Sequence, residues 1–201
     1  MTLAKVKARV NIVNVVASVN LNQPLDLNSI IKAFPSVEYR PEQFPGVVFK
    51  LKEPKTAHLI FGTGTMVCVG ATSERQAKRA VMKVIQRLKG QGIPIVGRPT
   101  IKVVNIVASA SLGGQVDVEK AAAYVLERIM YEPEQFLGAI YRMEEPKVVI
   151  LLYANGKLVI TGAKTEEEVY QATARLQRRL EEEKLTETLS RKIGKKTEKN
   201  V

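Results

Sequence analysis

Few side chains in this sequence are of the types that catalyse. His58 is the only histidine and Cys68 the only cysteine, which excludes an internal disulfide framework and a cysteine-based zinc site. Glu166, Glu167 and Glu168 are consecutive carboxylates, but they open a helical stretch, where negative charge complements the helix dipole. No Ser-His-Asp grouping, metal cluster or phosphate-cradling glycine loop is present in the sequence. His58 reads as a lone strand histidine and Cys68 as a small buried or sheet-face residue. The expectation is a chain that is not an enzyme and takes no cofactor or metal. What does recur is an aromatic. PEQF occurs at residues 41–44 and again at 133–136, with glycine two positions past each phenylalanine (Gly46, Gly138) and a second aromatic 17 residues on (Phe61, Tyr153). A single phenylalanine after a polar stretch is ordinarily a core residue. The same one placed twice in the same context calls for another explanation.

The chain is in fact written twice. VNVVASVNL (13–21) aligns with VNIVASASL (104–112), and residues 39–74 align with 131–166 with 15 of 36 positions identical. Two copies are too few for a solenoid, so a pseudo-symmetric pair is the expected arrangement. The expected organisation is a first repeat over 1–98, a second over 99–187 and a basic, flexible tail over 188–201. The stretch from residue 184 on, KLTETLSRKIGKKTEKNV, reads as disordered or as a helix extension that adds nonspecific affinity for a polyanion.

Each copy follows one plan. A β-branched run (Val10–Val19, Ile101–Ala110) precedes a short helical stretch that Asp26 or Asp117 would cap. Strand-like runs follow at 46–52, 57–62 and 65–70, and again at 138–144, 148–154 and 157–162. Their turns hold Glu-Pro and glycine. A longer helix closes each copy, opened by Ser73-x-x-Gln76 or Thr165-x-x-Glu168. Its apolar positions are Ala77, Ala80, Val84 and Leu88, matched by Val169, Ala172, Leu176 and Leu180. This pattern predicts an α+β fold: two pseudo-symmetric repeats forming one curved, ten-stranded antiparallel sheet with helices on one face. The other face would carry Asn14, Val16 and Ser18, matched by Asn105, Val107 and Ser109. Hairpin strands add Leu59, Phe61, Val67 and Val69, matched by Leu151, Tyr153, Val159 and Thr161. A sheet face of small apolar residues without a helical cover must meet something.

Charge says what kind of thing. The net charge is +11, and residues 1–98 hold 15 Lys/Arg against 5 Asp/Glu, whereas residues 99–183 hold 10 against 13. One basic and one mildly acidic half imply two kinds of partner, one of them a polyanion. No apolar run is long enough to cross a bilayer, and the first residues are too polar for a signal peptide, so no membrane partner is expected.

The paired motifs N-[VI]-V-A-S, PEQF-x-G, KEP or EEP before LIF or LLY, and V-x-x-G-A resemble those of the TATA-box-binding protein family in its archaeal form. That resemblance covers nearly the whole chain. It implies a saddle whose concave sheet rides the DNA minor groove, kinking it with apolar wedges, and whose convex helices face proteins. By the same resemblance Phe44, Phe61, Phe136 and Tyr153 are wedges driven between stacked base pairs. Asn14 and Asn105 donate to minor-groove acceptors, and Val16 and Val107 pack where a guanine amino group would clash. Leu59, Val67, Val69, Leu151, Val159 and Thr161 line the groove side. Lys50, Lys55, Arg142, Lys147 and Lys157 meet phosphates.

The function implied is a general initiation factor that binds an A/T-rich promoter element, bends it and nucleates the preinitiation complex. Its partners would be double-stranded promoter DNA, transcription factor B through Glu132, Glu134 and Leu137, and RNA polymerase indirectly. Its place would be the nucleoid, in the cytoplasm of an archaeal cell. Three positions depart from the family pattern: Tyr153 replaces a phenylalanine wedge, Val69 a threonine, and Leu137 the proline that follows Phe44 in the first loop. Two alternatives compete. One is a nucleic-acid-binding module attached to a base-excision or RNA-processing enzyme; the other is an interaction module that buries the open sheet in a homodimer when free.

Overall fold

Alternation along the strands organises the computed structural model, which describes residues 8–125 and 127–188. The chain divides into two compact units, one of residues 12–106 and one of the residues from 107 on with those before 12. The first copy supplies β1 (Arg9–Asn20), α1 (Leu27–Ala33), β2 (Glu38–Tyr39), β3 (Gly46–Leu51), β4 (Thr56–Phe61), β5 (Thr65–Ala71) and α2 (Glu74–Gly90). Its antiparallel order is β2-β3-β4-β5-β1. The second copy supplies β6 (Thr100–Ser111), β7 (Gly114–Val116), α3 (Val118–Lys120), a π-helical turn over Ala121–Val125 and β8 (Ile129–Met130). It continues with β9 (Gly138–Met143), β10 (Val148–Tyr153), β11 (Lys157–Ala163), α4 (Glu166–Glu182) and β12 (Thr186–Thr188), in the order β6-β11-β10-β9-β8. This is the expected α+β class, with ten antiparallel strands in an open arrangement and five to each copy.

Local signals start and stop the helices. Asp26 accepts from the Asn28 N–H, and Asp117 from the Lys120 N–H, as N-caps. Ser73 and Thr165 accept from the Gln76 and Glu168 N–H groups. The reciprocal arm of each cap falls one residue earlier than a capping box places it: Gln76 Oε1 accepts from Thr72 N–H and Glu168 Oε2 from Lys164 N–H. At the other end, Gly92 takes φ +77 while Ile93 N–H returns to the Leu88 carbonyl and Gly92 N–H to that of Lys89, a Schellman stop. The second copy repeats it with Lys184 at φ +56 and Leu185 N–H on the Leu180 carbonyl. Residues 184–188 therefore neither extend the helix nor lack order. Leu185 is buried, its carbonyl accepts from Asp117 N–H, and β12 pairs with β7. The rest of the expected tail lies outside the described residues.

Each sheet buries alternate side chains. In the first unit Phe49, His58, Cys68 and Ala17 form one covered row across β3, β4, β5 and β1. Ala77, Ala80, Val81, Val84, Ile85 and Leu88 form the buried stripe of α2, which packs on β5. The second unit buries Val148, Ile150, Leu152, Leu158 and Ile160 with Val169, Ala172, Leu176 and Leu180 of α4. Hairpins β4–β5 and β10–β11 turn through Gly64 and Gly156, both left-handed. A Cβ would lie 1.7 Å from the Gln23 carbonyl oxygen at the first and 1.9 Å from that of Gly114 at the second. Leu21 and Leu112 N–H groups bond to the carbonyls of these same glycines, so each hairpin tip is fastened to the segment leaving the long strand.

His58 is fully buried; its Nε2 faces Thr56 Oγ1 at 3.1 Å, and its Nδ1 has no partner among the described residues. Burial holds its pKa down at about 4, against an ordinary 6.5. Between those values the unfolded chain binds the extra proton, so stability falls as pH drops from about 6.5 towards 4, by up to about 3 kcal/mol. Chemical denaturation across that window checks this. His58→Gln should flatten the slope; an unchanged slope would place the pH dependence in other groups.

Candidate nucleic-acid interface

The residues left half-exposed by alternation form the candidate site. In the first unit the register sets Val48 opposite Leu59, Leu59 opposite Val67, and Val67 opposite Ser18. A second row sets Lys50 opposite Ala57 and Ala57 opposite Val69. In the second unit Ile140, Leu151 and Val159 form the matching row, and Arg142, Val149 and Thr161 the next. Val16, and Asn105 and Val107 on β6, are half-buried between residues that face the core or solvent. The structure thus brings Leu59, Val67 and Val69 onto one apolar surface, and Leu151, Val159 and Thr161 onto another. Val48 and Ile140 belong to these rows although the sequence reading omitted them; the alternation of β3 and β9 was the signal that could have found them.

At the end of each row stand two rings. Phe44 meets Phe61 edge-to-face with centroids 5.4 Å apart, and Phe136 meets Tyr153 at 5.8 Å. The loops before them fold alike, with Phe44 N–H on the Arg40 carbonyl and Phe136 N–H on that of Glu132. Replacing Pro45 by Leu137 therefore leaves these bonds in place. The nearby glycines do not serve a left-handed turn. Neither Gly46 nor Gly138 has a positive φ. Instead a Cβ on Gly46 would lie 2.8 Å from Phe44 Cε1 and 3.2 Å from Phe61 Cδ1. One on Gly138 would lie 2.9 Å from Phe136 Cε1 and 3.1 Å from Tyr153 Cε1. Each ring pair rests on a bare backbone.

Asn14 is oriented by a feature the sequence did not show. The register slips between Val15 and Ala17, so Val16 alone faces Val69 and Gly70. Gly70, at φ +92, offers its N–H to Asn14 Oδ1 at 2.7 Å. A backbone N–H can only donate, so the partner atom must be the oxygen and the amide NH2 is left as the outward donor.

The cations are distributed unevenly. Lys50 is on the open face but bonds Glu38 at 2.5 Å, which holds the Glu38 carboxyl below its usual pKa. Arg142 is exposed on the face of Ile140. Lys55 and Lys147 lie in the β3–β4 and β9–β10 turns, at the far ends of β4 and β10 from the rings, whereas Lys157 opens β11 beside them. Glu132, Glu134 and Leu137 are exposed on the second ring loop, Leu137 by 80%. Burial raises the Cys68 thiol to about 11, so it is no nucleophile at neutral pH. Among the described residues no His/Cys/Asp/Glu group could hold a metal ion, and no helix is long and apolar enough to cross a membrane.

Comparison with known proteins adds direct likeness. The family model described as transcription factor TFIID, or TATA-binding protein, matches residues 9–90 and again 100–183, so the internal duplication is a duplication of that unit. A TATA-box-binding protein of Pyrodictium occultum is 53% identical over 174 residues, 87% of each chain. That of Archaeoglobus fulgidus is 44% identical over 173 residues, 86% of this chain and 94% of its own. The solved structure of Methanococcus jannaschii TBP aligns with a TM-score of 0.78 at 42% identity, over 87% of this chain and 99% of that one.

Asn14→Asp separates the oxygen that holds Gly70 from the outward amide. It keeps the acceptor for Gly70 N–H but replaces the outward donor by a carboxylate oxygen. Thermal stability should stay within a few degrees, while affinity for an A/T duplex should fall about tenfold or more. Equal affinity would make Asn14 a purely structural residue.

Proposed function

This chain belongs to the TATA-box-binding protein family, and from that premise we propose how its two open sheet faces work. The protein is a general transcription initiation factor that recognises A/T-rich promoter DNA. The observation that supports the mechanism best is the pair of ring couples, each pressed onto a glycine at the end of an uncovered apolar face. A ring pair supported from below and open above is suited to enter a base step. Unstacking costs a few kcal/mol per step, and flexible T-A steps lower that cost, so sequence preference arises partly without base contacts.

Beside the rings of each copy, the rows of Leu59 and Val67 and of Leu151 and Val159, with Val16, Val69 and Val107, replace groove water with apolar contact. They leave no space or acceptor for a guanine amino group. The Asn14 amide, and by the same logic that of Asn105, donates to adenine N3 or thymine O2. Thr161 adds a hydroxyl where Val69 has none. Lys50, Lys55, Arg142, Lys147 and Lys157 meet the backbone and make affinity fall with salt. Lys50 would exchange Glu38 for a phosphate, an exposed pair of small worth. The repeats 1–98 and 99–187 each contribute one such face, and no covalent chemistry is required of either.

The exposed carboxylates Glu132 and Glu134 with Leu137 form a surface for a basic protein partner, assigned to transcription factor B, which in turn brings RNA polymerase. The bound promoter is chromosomal, so the protein works in the nucleoid of the archaeal cytoplasm. A homodimer that buries the open faces would compete with DNA and would be lost on adding it.

Energy transfer between dyes at the ends of a short TATA-like duplex tests the bending. Transfer should rise on the A/T duplex and not on a G·C-substituted control, and Phe44→Ala or Phe136→Ala should cut the rise strongly. Equal binding to both duplexes without bending would reduce the protein to a generic basic DNA binder. Glu134→Lys should leave this binary signal intact and weaken the ternary complex with transcription factor B about tenfold; an unchanged ternary affinity would remove Glu134 from that surface.

A further inference from the structure

The same hairpin ends both open faces, but it is closed by different chemistry. Gly62, Thr63 and Gly64 join β4 to β5, with Gly64 N–H on the Phe61 carbonyl at 2.9 Å. Ala154, Asn155 and Gly156 join β10 to β11, with Gly156 N–H on the Tyr153 carbonyl at 2.8 Å. A three-residue turn that ends on a left-handed glycine makes the flanking residues its closing pair. These are Phe61 and Thr65 in the first copy and Tyr153 and Lys157 in the second. Leu151 and Val159 are direct partners, and two steps along each strand from them stand Tyr153 and Lys157, on the same face.

Tyr153 is half-buried and its ring is held from two sides, by Phe136 and by the backbone at Gly138. Its phenol O–H is therefore a donor on a fixed arm. Lys157 is exposed, and closing-pair Cβ atoms stand about 5 Å apart, well within the reach of both side chains. A neutral O–H donor and an ammonium that can converge on one point suit an oxyanion. The first copy cannot do this. Phe61 has no donor, and Thr65, whose hydroxyl lies 2.9 Å from Thr63 Oγ1, carries no charge.

We propose that Tyr153 and Lys157 form a phosphodiester anchor that exists at only one of the two wedge sites, so that the second copy grips the DNA backbone where the first only wedges. The proposal rests on the DNA-binding function given above. It turns the tyrosine from an imperfect phenylalanine into a residue with its own ligand, and it makes the near-symmetric protein unequal in its hold on a duplex.

The test titrates the full chain into A/T duplexes carrying neutral methylphosphonates at symmetry-related pairs of backbone positions, one pair at a time, so that either binding orientation is read. One pair should cost wild-type protein about tenfold in affinity. Tyr153→Phe and Lys157→Thr should each bind the unmodified duplex more weakly and lose little more at that pair. Lys157→Thr should also lower the slope of log affinity against log salt by about one. Phe61→Tyr with Thr65→Lys should bind more tightly and enlarge the loss at the sensitive pair. Wild-type affinity of Tyr153→Phe, or full methylphosphonate sensitivity in both variants, would overturn the anchor. The promoter-reading function is judged separately, by wild-type discrimination between A/T and G·C duplexes. Its failure leaves the phosphate readout intact, and its success with variants that keep wild-type affinity or full methylphosphonate sensitivity sinks the anchor alone.

Discussion

A strand offers its side chains to two faces in turn, and in each unit of this protein only one of those faces is buried. Everything else about the site depends on that inequality. His58 and Cys68 lie on the covered face of the first unit, which is why burial holds the imidazole neutral and the thiol protonated. One position further along, Leu59 and Val67 are left half-exposed and available to a ligand. A one-residue slip in either strand would exchange these sets and destroy core and site together.

The ring pairs show how bare backbone can set where side chains stand. A side chain on the floor beneath an aromatic pair would push the rings out of place. With Gly46 and Gly138 as floor, each pair settles edge-to-face over bare main chain and remains at the rim. The fastening of each hairpin tip, through Leu21 to Gly64 and Leu112 to Gly156, keeps that rim from moving away from the long strand. Wedging needs such rigidity, because a mobile ring would lose entropy on insertion in addition to the cost of unstacking.

Duplication gave the two copies one backbone plan and then let their chemistry diverge. The Schellman stop is built on Gly92 in one copy and tolerated on Lys184 in the other. Short helix α1 is α-helical, whereas its counterpart breaks into three α residues and a π-helical turn. The first ring loop has Arg40 where the second has Glu132, and Phe61 and Thr65 stand where the second has Tyr153 and Lys157. Equal folding with unequal charge allows one copy to favour the polyanion and the other to favour a basic protein as well.

Much of this was legible in the linear sequence, because the signals are local. Periodicity of two located the eight longest strands within a residue or two but not the short β2, β7, β8 and β12; Asp26, Ser73, Asp117 and Thr165 announced the helix starts, and the repeated PEQF marked the rings. The family's residues then followed position by position. Four things were decided only by the folded chain, because each depends on backbone geometry that the side-chain pattern does not carry. The bulge opposite Val16 turned Gly70 N–H towards Asn14 across 56 residues and so fixed which end of the amide faces outward. The reason for Gly46 and Gly138 was crowding by rings, which a reading of turn propensity cannot detect. The end of α4 was a left-handed lysine followed by a strand that pairs with β7, where composition alone read a tail. The shared face of Tyr153 and Lys157 came from strand register, since hydrophobic pattern says which residues are buried but only the ladder says which stand side by side.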